Sequence, residues 1–180
     1  MKKNKKSLKG MTLVEVLVSL AVFAMLLAVS LILSYIENIV FSDIFLPGIK
    51  LGLSNISVVV ALYLFGFAPA LFLGISKSIV SLLVFGRLSG LLYSLFGIVF
   101  SVIVMFAIKK SGLFSVFGVG ISGSAAHIAG QLLAACIMLS STYPLSLFPF
   151  LCTVSVVCAA ILYYPERIVL SFLRKKNCFE

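Results

Sequence analysis

Charge is scarce in this chain. Only 11% of the 180 residues are Asp, Glu, Lys or Arg, 62% are hydrophobic, and the mean hydropathy is +1.27. That balance cannot supply a polar surface for a soluble domain, so it requires an integral membrane protein. Acids are scarcer still: the five present, Glu15, Glu37, Asp43, Glu166 and Glu180, are scattered, with no DDxxD-like pair among them. Clustered carboxylates are what hold magnesium on a diphosphate, so this chain alone is not expected to carry out diphosphate chemistry. Alternating strand periodicity is missing, which argues against a β-barrel. There is one histidine, and Cys136, Cys152, Cys158 and Cys178 show neither CxxC nor Cys/His spacing. No metal site, disulfide framework, haem or cluster is therefore expected, and no cofactor. No Gly-rich loop ends in Gly-Lys-Ser/Thr, so active transport would need an ATPase supplied by other genes.

What the chain does have is a series of apolar runs of the length that a hydrocarbon core of roughly 30 Å demands, about six in all. The first runs from Met11 to about Ile36, behind a segment with five lysines between Met1 and Lys9. A signal peptide has a shorter core and a small-residue cleavage site, so this run reads as a retained helix starting inside. The expected successors are Leu51–Phe67, Ala70–Phe85, Leu91–Ile108, Val116–Leu139 and Phe150–Tyr164, the last breaking near Pro165. The resulting division is a basic cytoplasmic segment over 1–10, a six-helix transmembrane domain over 11–173 and a basic tail over 174–180. The leader, Lys109-Lys110 and Arg174-Lys175-Lys176 then share the cytoplasmic face, and the outer loops keep only Lys50 and Arg87. This obeys the positive-inside rule with both termini in the cytoplasm, and the net charge of +9 points to lipid headgroups and topology rather than nucleic acid.

Several polar residues interrupt the apolar background. Pro47 and Gly48 punctuate the end of a first outer loop spanning Glu37 to Gly48, with Glu37 and Asp43 in it. Lys50 and Asn55 follow at the start of the second helix, as parts of a site near the membrane surface or as a snorkelling lysine beside an interfacial loop. Lys77 falls near the middle of the third helix. A lysine there costs roughly 2.5–3.5 kcal/mol on insertion, so it faces a cavity, a partner or a structural pair. His127 and Gln131 lie four residues apart on one helix face, suited to binding a polar ligand or to hydrogen bonding between helices. Ala24 and Ala28 form a small-xxx-small pair that permits close approach of another helix, from within the bundle or from a partner.

The segment Lys9-Gly10-Met11-Thr12-Leu13-Val14-Glu15 resembles the type IV prepilin cleavage motif: a basic leader ending in Gly10, and a Glu at the fifth residue of the mature helix, here Glu15. A pilin continues into a soluble, largely β head, whereas this chain continues into further membrane helices. The other reading of Glu15 is an acid near the interface, paired with the lysine-rich segment.

Ser34-Tyr35-Ile36-Glu37, Pro47-Gly48-Ile49-Lys50-Leu51-Gly52-Leu53-Ser54-Asn55-Ile56, Leu92-Tyr93-Ser94-Leu95, and Ala126-His127 with Gly130-Gln131-Leu132 resemble the Gx transporter family, also labelled heptaprenyl diphosphate synthase component I. The resemblance covers roughly Ala24–Tyr164. Ile128 stands where that family usually has Asn, and the basic leader lies outside its pattern. The resemblance implies an all-α bundle similar to the substrate-binding S components of energy-coupling-factor (ECF) transporters, in a bacterial cytoplasmic membrane. It further implies that Glu37, Asp43, Pro47 and Gly48 belong to a lid, and that Ala24 and Ala28 dock a coupling subunit associated with ATPases. Lys50, Asn55, Lys77, Tyr93, His127 and Gln131 would line the pocket. Three functions follow: a binding and transport subunit for a small anionic, isoprenoid or redox-related molecule; a non-catalytic accessory of heptaprenyl diphosphate or menaquinone synthesis; and an anchor for an electron-transfer or pilus-type assembly.

Overall fold

The structure, a computed structural model, describes residues 13–41, 49–86 and 88–175. Gly10, Asp43, Pro47, Gly48, Arg87 and Lys176 lie outside the described residues, and with them most of the expected lid. Among the described residues all regular structure is helical. The helices are α1 (Leu13–Phe41), α2 (Asn55–Leu64), α3 (Phe67–Phe85), α4 (Leu88–Ser111), α5 (Val116–Leu139), α6 (Tyr143–Ser146) and α7 (Phe148–Lys175). Five of them, α1, α3, α4, α5 and α7, are long and apolar enough to cross a membrane. The all-α membrane bundle expected from composition is thus the observed architecture.

Three local expectations are corrected. The helix expected from Leu51 begins only at Asn55, and at 10 residues α2 is about 15 Å long, half a hydrocarbon core. Gly52 adopts φ +92°, which an α-helix cannot contain, so residues 49–54 run as buried non-helical chain. The first helix does not end near Ile36 but continues to Phe41, which places Glu37 on α1 rather than in a loop. Pro165 does not break the last helix. It sits inside α7, where its missing N–H removes one hydrogen bond but packing against α2 and α5 keeps the helix continuous.

Short α2 occupies the centre, packed against α1, α3, α4, α5 and α7. Accordingly Asn55, Ser57, Val58, Val59, Val60, Ala61 and Leu62 are all buried, and Ile56 alone is partly exposed over those turns. Lys109 at the end of α4 donates to the Leu62 carbonyl at 2.8 Å, so a cation closes the C-terminus of α2. Helices α4 and α5 approach most intimately through glycine: a Cβ on Gly130 would lie 2.7 Å from the Phe96 carbonyl oxygen and 3.0 Å from the Gly97 Cα. At the other edge, α1 packs only on α2 and α3, and α1 and α7 flank α2 without packing on each other. Much of α1 is therefore exposed, Ala24 and Ala28 included.

Candidate functional site: a polar cluster around residues 49–55

Non-helical backbone inside a membrane bundle must find partners within the protein, because lipid supplies none. Residues 49–54 find them on side chains from three helices. The Lys50 amide donates to Gln131 Oε1 on α5 at 3.0 Å, and the Gly52 amide donates to Glu37 Oε1 on α1. The Leu51 carbonyl accepts from Ser155 Oγ on α7 at 2.8 Å, and the Ser54 carbonyl accepts from Ser30 Oγ on α1 at 3.5 Å. The segment is held from its flanks rather than by a ladder of its own.

Two ammonium groups converge on this frame. Lys50 Nζ donates to Ser34 Oγ at 3.0 Å and stands 5.8 Å over the Phe85 ring. Lys77 Nζ donates to Ser54 Oγ at 2.6 Å. Glu37 interacts electrostatically with both lysines, so the cluster carries two basic groups around one acid. All three side chains are nearly buried, at 8% exposure for Lys50, 3% for Lys77 and 1% for Glu37. Low polarity around them strengthens every such interaction and makes any unmatched charge costly.

On α5 the amide of Gln131 is oriented by its partners. Its oxygen accepts from Lys50 N, so its nitrogen donates to His127 Nε2 at 2.8 Å and the imidazole is an acceptor there. Gly97 leaves the room this pair needs, since a Cβ there would lie 2.8 Å from the imidazole Cε1 and 2.9 Å from Gln131 Cγ. Asn55 donates to Ser101 Oγ at 3.1 Å, which in turn donates to the Gly123 carbonyl at 2.8 Å.

Lys50, Asn55, Lys77, His127 and Gln131, separated by up to 81 residues in sequence, thus meet around one buried segment. Tyr93 is buried beside them in an apolar cluster with Ile49, Leu51, Ile128 and Leu132. Glu37, expected in a lid, instead points inward from α1 and joins the cluster. Sequence reasoning missed the serines: Ser30 and Ser34 precede Glu37 by seven and three residues on one face of α1, and Ser78 on α3 meets Ser94 on α4 at 2.9 Å. Their signal was helical spacing of small polar residues in apolar runs. The cluster is closed, with a space of only about 10 Å³ beside Lys50 and about 20 Å³ beside Gly52 and Asn55.

Comparison with known proteins adds two matches. Residues 26–164 match the model of a family described as heptaprenyl diphosphate synthase component I, and residues 5–31 match the prokaryotic N-terminal methylation motif. Neither a curated protein nor a solved structure matches the chain.

Proposed function

The chain belongs to the heptaprenyl diphosphate synthase component I family, and on that premise we propose that it is a membrane-embedded binding subunit for a small anion, similar in kind to the S components of ECF transporters. The observation that carries this reading is the pairing of Lys50 and Lys77 with serine hydroxyls next to a single carboxylate. Anionic oxygens are stronger acceptors for an ammonium than Ser34 and Ser54 are. A ligand that takes their place releases the Lys77–Ser54 and Lys50–Ser34 ties, so entry of the ligand and displacement of residues 49–54 become one event. Asn55, His127 and Gln131 supply orientation, and Tyr93 an apolar wall.

Native mass spectrometry of the protein extracted in mild detergent tests the proposal, comparing wild type with Lys77→Met. A small anionic species bound to wild type and missing from the variant supports it. Its absence from both, together with a stoichiometric bound polypeptide, favours a second reading that the family's description suggests: a non-catalytic membrane accessory of a prenyl diphosphate synthase or a quinone-linked electron-transfer system.

The lysine-rich leader, Lys109-Lys110 and the basic end of α7 support an inner-membrane topology with both termini cytoplasmic. The match over residues 5–31 supports processing between Gly10 and Met11, with Glu15 at the fifth mature position. Intact mass of protein from its native membrane decides it: loss of the first ten residues is expected, and a full-length chain would refute the cut.

A further inference from the structure

A carboxylate inside a membrane bundle needs a counter-charge or a hydrogen-bond donor, because its surroundings supply neither water nor polarity. Glu166 has neither. It is 4% exposed on α7, its Oε1 accepts no hydrogen bond, and among the described residues no ammonium, guanidinium or imidazole pairs with it. Lys50 and Lys77 are engaged elsewhere, with Ser34, Ser54 and Glu37.

The carboxyl borders a space of about 20 Å³, shared with Gly52, with Asn55 on α2 and with Gly120 and Ser124 on α5. Gly120 leaves room for it there, since a Cβ on that residue would lie 3.6 Å from Glu166 Oε2. A volume of this size holds one water-sized occupant. Two further side-chain oxygens stand on its border, from Asn55 and Ser124, and both residues are buried. Ser101 has a single proton and gives it to the Gly123 carbonyl at 2.8 Å, so Asn55 Oδ1, 3.4 Å from the Ser101 hydroxyl, remains an open acceptor.

We infer that this space binds one small monovalent cation, of the size of Na⁺, held by the Glu166 carboxylate together with Asn55 Oδ1 and Ser124 Oγ. Charge selects it: a single carboxylate is neutralised by a single positive charge, and a divalent ion would leave one charge uncompensated. The donor set selects it as well, being made of hard oxygen atoms without sulfur or imidazole. Gly52 brings non-helical backbone to the same border, and unwound backbone is where transporters coordinate Na⁺. A water molecule would fill the volume but leave the charge unmatched. A proton would neutralise Glu166 without drawing on Asn55 and Ser124. This site does not depend on the anion reading of the Lys50 and Lys77 cluster, although both take hold of residues 49–55.

The test uses the full chain, purified in mild detergent with choline in place of metal cations. Thermal unfolding is followed as NaCl replaces choline chloride at constant ionic strength. A saturable rise in melting temperature is expected, because an ion that binds only the folded state stabilises it. Radioactive sodium is expected to bind at one ion per chain. Glu166→Gln, which keeps the size of the side chain without its charge, is expected to abolish both the rise and the binding. Ser124→Ala keeps the carboxylate and is expected to raise the half-maximal Na⁺ concentration about tenfold, a readout that stands even if Glu166→Gln fails to fold. A melting temperature indifferent to Na⁺ overturns the inference, whether the carboxyl then proves to hold a proton or a water. So does a rise of equal size and midpoint in wild type and both variants, which is the mark of a general salt effect.

Discussion

The backbone amide of Lys50 is held by the side-chain oxygen of Gln131, 81 residues further along the chain and on another helix. This contact joins the non-helical segment to α5 and, through the Gln131 amide nitrogen, to His127. Gln131→Leu conserves bulk but strands a buried N–H, at a cost of about 1–3 kcal/mol. Thermal unfolding in detergent is expected to show that loss.

Glu37 accepts from the Gly52 amide and lies near both Lys50 and Lys77, and its removal is expected to harm the fold more than removal of either lysine. Glu37→Gln removes the carboxyl that acts on both lysines and weakens the acceptor of the Gly52 amide, at a cost of about 1–3 kcal/mol. Lys77→Met is expected to cost less, because Lys50 continues to face Glu37. The double variant is expected to be more stable than Glu37→Gln alone; a strictly additive double-mutant cycle would show that Glu37 and Lys77 are not coupled.

Gly130→Ala places a Cβ 2.7 Å from the Phe96 carbonyl oxygen, a backbone atom that a rotamer change cannot move. The α4–α5 pair is expected to separate locally, at about 1–3 kcal/mol. Gly120→Ala is the control, since the nearest atom to its Cβ is Glu166 Oε2 at 3.6 Å. Melting temperatures of the two variants should differ, with Gly120→Ala close to wild type.

Ala24 and Ala28 are exposed on α1, so leucine at both positions is expected to leave stability within about 0.5 kcal/mol of wild type. If this face docks a coupling subunit, co-purification of that subunit falls while binding of the small molecule persists. Unchanged co-purification would move the docking surface elsewhere.

Membrane residence, helical class and the positions of five long helices follow from composition and apolar run length, because lipid allows an uninterrupted apolar segment few alternatives to helix. The residues that define the polar cluster are legible for a related reason. Lys50, Asn55, Lys77, His127 and Gln131 are expensive in an apolar run and therefore stand out. Serine is cheap there, so Ser30, Ser34, Ser54 and Ser155 did not. What only the tertiary structure decided is how far the second helix extends and where its neighbours' polar groups point. The positive φ of Gly52 is sustained by bonds from Glu37, Gln131 and Ser155, none of them local in sequence. Likewise Pro165 lost to packing along α7, and a cleft is left between α1 and α7 because these helices, distant in sequence, share α2 without meeting. Local chemistry determined which segments enter the membrane; contacts between distant segments decided which of their backbone and polar groups are satisfied, and so where sites remain open.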